Sequence, residues 1–241
     1  MAKSPAVRAG LIAMDDIVFL FDVDNTLLDN DRVQNDLSAH LAAAFGPDAR
    51  DRYWAIFEAL RAELGYADYL GALERHRLDD LHDPRILGMA NWLIDYPFAE
   101  RLYPGALEAV KHVSQWGRAV VLSDGDAVFQ PRKVERSGLW SVFRDGVLIF
   151  IHKEQNLDDV ERIFPARRYV LVDDKVRILS AVKGIWGERV TTVFPRQGHY
   201  ANDPAVVAAF PPADIQIEKI GDLVALDFAA FPRQCDPGVR P

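Results

Sequence analysis

The sequence holds a single cysteine, Cys235, among 241 residues. An intramolecular disulfide and a cysteine-built metal cluster are both excluded, and a reducing, cytoplasmic compartment is the expected setting. No run approaches the roughly 18 apolar residues of a membrane span. The apolar stretch Leu11 to Met14 is ended by Asp15 and Asp16 and is too short for a signal-peptide core. An excess of basic residues is missing as well. With 28 Lys and Arg against 36 Asp and Glu, the formal net charge is -8, so no global field draws nucleic acid or an anionic membrane, and neither is expected as a partner. What is present is an ordinary globular composition, 49% hydrophobic and 27% charged, in a length that suits one domain carrying a smaller insertion. The segments 1–14 and 230–241 read as loose tails.

Short apolar runs rich in β-formers recur along the chain. They are Ile17 to Phe21, Ala119 to Leu122, Val147 to Ile151, Tyr169 to Val172 and Val190 to Phe194. Such continuous runs are expected of strands buried on both faces of a parallel sheet. Helical patterns lie between the later ones, at Gly105 to Trp116, Leu157 to Phe164 and Val176 to Trp186. The alternation predicts an α/β fold, a Rossmann-like parallel sheet with helices on both faces.

The stretch 31–98 differs. It shows no convincing strand, and apolar residues recur at helical spacing between breaks at Gly46-Pro47, Gly65, Asp83-Pro84 and Tyr96-Pro97. About four helices are expected as an insertion between a core of two segments, 1–30 and 99–241. They are either extra helices packed on the sheet or a mobile cap over a site.

Four signals at strand ends carry chemistry. Asp22-Val23-Asp24-Asn25-Thr26 follows the first run. Two carboxylates at i and i+2 point the same way if strand geometry persists, and they then need a cation or a shared proton between them. One can attack phosphorus while the other protonates the leaving oxygen and later activates water. Ser123-Asp124-Gly125 closes the second run, where a hydroxyl and turn N–H groups can hold phosphate oxygens. Lys153 follows the third run as a point charge that can neutralise phosphate. Asp173-Asp174 ends the fourth, an acid pair suited to Mg²⁺, with helix N-capping the competing role for one of the two.

In this order and placement the motifs resemble those of the haloacid dehalogenase-like superfamily of phosphohydrolases, over about Ile17 to Ile220. The resemblance implies a helical cap inserted after the first strand. It also implies Asp22 as nucleophile and Asp24 as general acid/base, with the Asp24 main-chain carbonyl on Mg²⁺. Ser123, Asp124 and Lys153 match the phosphate-holding positions. Asp174 matches the direct metal ligand with Asp173 in support, although the paired acids leave the division of labour between them open. Dehalogenase members lack an acid at the position of Asp24, so the expected activity is Mg²⁺-dependent hydrolysis of a small phosphate monoester. Phosphotransfer or mutase chemistry on the same fold stays open, as does a non-catalytic phospho-accepting or binding module. Trp54, Tyr66, Tyr69, Arg75, His76, Arg77 and Trp92 are candidates for substrate choice. The loop Phe194 to Tyr200 reads as a surface loop, the alternative being that it reaches the site.

Overall fold

A computed structural model describes residues 15–77 and 82–228; the expected tails 1–14 and 230–241, with Cys235, lie outside the described residues. One sheet is built from β1 (Asp15–Phe21), β2 (Arg118–Asp124), β3 (Val147–Phe150), β4 (Ala166–Val172), β5 (Val190–Pro195) and β6 (Ile215–Ile217). The order is β3-β2-β1-β4-β5-β6, and every pairing is parallel. The edge strand β6 was not among the expected runs. Its three residues are too few to carry a pattern.

The period of two in a strand sends alternate residues of β1 to opposite faces. Val18 and Leu20 pack with Val120, Leu122 and Leu171 under α8 (Leu157–Ile163) and α9 (Val176–Trp186). Phe19 and Phe21 pack with Val121, Val170 and Val172 under α5 (Ala106–Val113) and α7 (Leu139–Phe143). Each side chain so buried contributes roughly 1.5–3 kcal/mol relative to exposure. That is why runs with no polar face end up in the middle of the sheet.

Between β1 and β2 the chain forms α1 (Asn30–Phe45), α2 (Pro47–Leu64), α3 (Tyr69–His76) and α4 (Arg85–Asp95), then a 3₁₀ turn at Phe98–Arg101. Local sequence sets the ends. Asp29 accepts from the Arg32 N–H to cap α1, Pro47 opens α2, Gly65 at φ 82 closes it, and Asp68 accepts from the Gly71 N–H to cap α3. Leu37, Leu41, Phe57, Leu60, Leu73 and Leu93 bury the shared apolar faces. The two crossings into this insertion run side by side. Asp29 N donates to Arg101 O at 2.7 Å and Tyr103 N donates to Leu27 O at 2.9 Å, around an antiparallel bridge between Leu28 and Leu102.

The insertion sits over the carboxyl ends of the strands. Tyr69 packs its ring on Phe129, 5.0 Å between centroids, just beyond β2. A Cβ at Gly65 would collide with the His152 ring, just beyond β3. Arg61 hydrogen-bonds the Tyr200 hydroxyl beyond β5.

Candidate active site

Strand order reverses between β1 and β4, and the crevice at such a point is where open α/β sheets bind ligands. Register brings the acids there. Phe21 pairs with Val172, so Asp22 and Asp173 leave the sheet at the same level, with Asp22 N bonded to Val172 O and Asp173 N to Val193 O. Lys153 comes from the turn after β3, its N–H held at 2.7 Å by the Asp124 carboxylate.

The Lys153 ammonium is fully buried and lies 2.5 Å from Asp22 Oδ1 and 2.6 Å from Asp173 Oδ2. Burial alone would lower its pKa, but Asp173, Asp22 and Asp124 outweigh it and hold the ammonium well above the ordinary range. One ammonium does not satisfy the acids. Asp22 Oδ2 and both oxygens of Asp174 are buried without a hydrogen-bond partner. Oxygens of Asp22, Asp173 and Asp174 fall within 4.8 Å of one another. Burial first, then neighbouring carboxylates, push the Asp174 carboxyl well above its usual value, and burial pushes Asp173 up to about 6 against the pull of Lys153. Hard oxygen donors, orphaned and convergent, fit a small divalent cation such as Mg²⁺.

The paired acids divide as follows. Asp173 spends Oδ1 on the Lys175 N–H at 2.8 Å and Oδ2 on Lys153, whereas Asp174 keeps both oxygens free and only its N–H is used, donating to Thr26 Oγ1 at 3.0 Å. Neither carboxylate caps α9, whose N-cap position is Lys175. The capping role weighed for one of these acids is therefore absent.

Asp24 departs from the sequence reading. Strand geometry ends at Phe21, and Val23 O accepts from the N–H groups of Thr26, Leu27 and Leu28 in a tight loop that puts Asn25 at φ 59. The Asp24 carboxylate does not share a cation with Asp22. Both its oxygens accept from Lys133 Nζ, at 2.7 and 2.8 Å. It lies outside the orphaned cluster of Asp22, Asp173 and Asp174. Ser123, buried, accepts from Gln130 Nε2 at 3.0 Å. The Asp124 carboxylate accepts from the Lys153 N–H through Oδ1.

Several residues went unread in the sequence. Gln130 and Lys133 lie on the buried face of α6 (Phe129–Arg136), a helix not expected from the pattern because its polar residues outnumber its apolar ones. Only three-dimensional proximity identifies them. Lys175, half-buried, faces Asp174, Asp22 and Asp173 and lies 5.7 Å from the Tyr200 ring. The loop after β5 does reach the site. Gln197 Nε2 donates to Asn25 O and Thr26 O at 3.3 and 3.1 Å, and His199 meets Asp31 at 2.6 Å. Most of the residues named for substrate choice do not face it. His76 is packed among Phe45 and Tyr53, Trp54 packs on Tyr53 and Phe57, and Trp92 stacks on His40. Arg75 and Arg77 pair with Glu63 and Glu74 on the insertion's outside. Tyr69 and Tyr66 remain, the first against Phe129 and the second within the field of Asp68 and Asp126.

Residues 18–181 match the family model of haloacid dehalogenase-like hydrolases. A solved structure described as a haloacid dehalogenase-like hydrolase, from Burkholderia xenovorans LB400, is 62% identical, with 88% of this chain and 97% of that one covered and a TM-score of 0.84. L-2-haloacid dehalogenase of Xanthobacter autotrophicus shares 19% identity over 88% of this chain and 98% of its own, at a TM-score of 0.58. A hydrolase of Bacillus subtilis, solved bound to magnesium and showing interdomain movement, shares 16% over 88% and 98%, at a TM-score of 0.59. At those identities the last two show likeness of fold alone. No curated protein sequence matches the chain.

Proposed function

The chain belongs to the haloacid dehalogenase-like hydrolase family, and from that premise we propose that it is a Mg²⁺-dependent hydrolase of small phosphate monoesters, working through a phosphorylated Asp22. The observation that carries the reading is the coexistence of two devices in one crevice. One is the orphaned carboxylate cluster of Asp22, Asp173 and Asp174. The other is a separate carboxylate, Asp24, held apart on its own ammonium.

The buried Asp22 carboxylate attacks phosphorus in line through one of its oxygens. The bond to the ester oxygen breaks as the acyl phosphate forms, and Asp24 delivers a proton to the departing alkoxide. Asp24, then a carboxylate, takes a proton from water as that water attacks the same phosphorus. Inorganic phosphate leaves and Asp22 is restored. Ser123, Lys153 and strand-end N–H groups hold the equatorial oxygens, and most of the acceleration comes from such positioning and charge. Asp22, Asp174 and the Asp24 carbonyl, with Asp173 in support, would hold Mg²⁺, which would supply the positive charge that lets a carboxylate meet an anionic ester.

Carbon–halogen cleavage, the activity named for the Xanthobacter neighbour, would use the same nucleophile. A halide leaves without a proton, however, and its substrate carries no phosphate charge to offset. That chemistry has no use for Asp24 as an acid or for a cation held by Asp173 and Asp174. Phosphotransfer remains compatible, with another hydroxyl in place of water. The test is a panel of phosphate monoesters and L-2-haloacids, assayed with Mg²⁺ and with chelator. Turnover of esters that needs Mg²⁺, falls to background in Asp22→Asn and drops by roughly 10²–10⁴-fold in Asp24→Asn is expected. Metal-independent halide release would replace this reading with dehalogenation.

A further inference from the structure

Lys133 is a lysine inside the protein, with no exposed surface, and yet it is not part of the cluster around Asp22. Its three ammonium hydrogens have three acceptors: both oxygens of Asp24, at 2.7 and 2.8 Å, and Asn30 Oδ1 at 3.0 Å. The rings of Tyr69 and Phe129 flank it, with centroids at 5.7 and 5.5 Å. Burying such a pair gives little net stability, because the desolvation of two charges consumes most of their attraction. A hydrophobic residue at this point of α6 would serve the core as well. What the pair does supply is orientation, since a carboxylate gripped through both oxygens cannot rotate away.

The third hydrogen bond leads into the insertion. Asn30 is the first residue of α1, and its Nδ2 donates to the Tyr69 hydroxyl at 3.2 Å. Gln34 Nε2 donates to the same hydroxyl at 2.9 Å, and the Tyr53 hydroxyl donates to Tyr69 O at 2.9 Å. Lys133 belongs to the core, Asn30 stands at the junction where α1 begins, and Gln34, Tyr53 and Tyr69 belong to the insertion. A continuous polar chain therefore runs from the Asp24 carboxylate to the centre of the helical layer.

We propose that Lys133 is a positioning residue that sets the orientation of the Asp24 carboxylate for its work on water, and that the insertion controls this orientation through Asn30 and Tyr69. The proposal rests on the phospho-aspartate reading above. With the insertion seated, Asn30 occupies the third hydrogen of Lys133 and the other two fix Asp24.

p-Nitrophenyl phosphate isolates this step, because p-nitrophenolate departs without needing a proton and phosphorylation of Asp22 continues when Asp24 is misplaced. Rapid-quench kinetics with Mg²⁺ and this ester, on full-length protein, read the burst of p-nitrophenolate, the fraction phosphorylated and the steady-state rate. In Lys133→Met, kcat should fall by about 10²-fold, the loss typical of a misplaced reacting group. KM should not rise, and phosphoenzyme should accumulate where wild type shows little. Tyr69→Phe, which removes one hydroxyl and keeps the ring, should move both readouts in the same direction by less. If Lys133→Met does not fold, Tyr69→Phe and Lys133→Arg decide the matter by the same two readouts. Variants that only melt earlier, with unchanged kcat per folded molecule and no accumulation of phosphoenzyme, would overturn the positioning role. A wild-type enzyme that forms no Mg²⁺-dependent phosphoenzyme would overturn the hydrolase reading and this proposal together, a result distinct from the first.

Discussion

Asp174 is a buried side chain with two acceptor oxygens and no donor. Such a group normally costs several kcal/mol unless a proton or cation joins it. Its carboxyl is held well above the ordinary range by burial and by Asp173 and Asp22, so at neutral pH its ionisation opposes folding in the absence of metal. Asp174→Asn should therefore raise the melting temperature of metal-free protein, by about 2–4 °C for each kcal/mol relieved, while hydrolysis falls to background. In wild type, Mg²⁺ at about 100 times its Kd should add about 2.7 kcal/mol to stability through binding linkage, and in Asp174→Asn that increment should vanish. Differential scanning with and without Mg²⁺ reads both effects. A variant that keeps the full Mg²⁺-induced rise would remove Asp174 from the metal shell.

Between elements, the start of α1 is latched to the helical turn after β5. Asn25 Oδ1 accepts from the N–H groups of Asn30 and Asp31, its Nδ2 donates to Asp31 Oδ1 at 2.9 Å, and His199 Nδ1 meets the same oxygen at 2.6 Å. Burial works to raise the Asp31 pKa, but the bonds from His199 and Asn25 prevail and hold it below 3.8. The sign follows from linkage. A carboxyl depressed in the folded state contributes stability that is present above its unfolded pKa and lost as pH falls through its folded one. Acid should loosen this latch over the interval below about pH 4, and Asp31→Asn should remove that part of the acid dependence. Amide exchange of the first turn of α1, followed against pH in both proteins, checks it. Identical profiles would show that the latch does not hold the turn.

At the scale of the whole molecule, the contacts of the insertion with the core include those of Arg61, Gly65, Tyr69 and Asn30. All of these contacts lie at the strand ends where Asp22 and Asp174 sit. A layer so placed completes a pocket and excludes water when seated. Arg61→Ala and Tyr66→Ala should change KM and the preference among phosphate esters on the order of 10-fold, leaving Mg²⁺ dependence and phosphorylation of Asp22 intact. An equal loss for every ester, with no change in preference, would move specificity out of the insertion and into the strand-end loops. Among the described residues no helix is long and apolar enough to cross a membrane.

The sequence by itself determined the parallel sheet, because runs such as Val18-Phe19-Leu20 bury both faces and leave no amphipathic alternative. It determined the strand-free insertion through breaks at Gly46-Pro47 and Gly65, and it placed Asp22, Ser123, Lys153 and Asp173-Asp174 at strand ends, where the residue after a buried run must face a ligand or water. Tertiary structure alone decided the rest. The path of the chain after Phe21 separates Asp24 from Asp22, which the spacing of two residues does not reveal, since it depends on Asn25 adopting φ 59. Lys133 lies 109 positions from Asp24 along the chain, on a helix whose composition resembles a solvated one. Trp54, His76 and Trp92 read as ligand contacts by chemistry and proved to be the insertion's own packing. Residue type fixes what a side chain can do, and only the packed neighbours fix what is left for it to do.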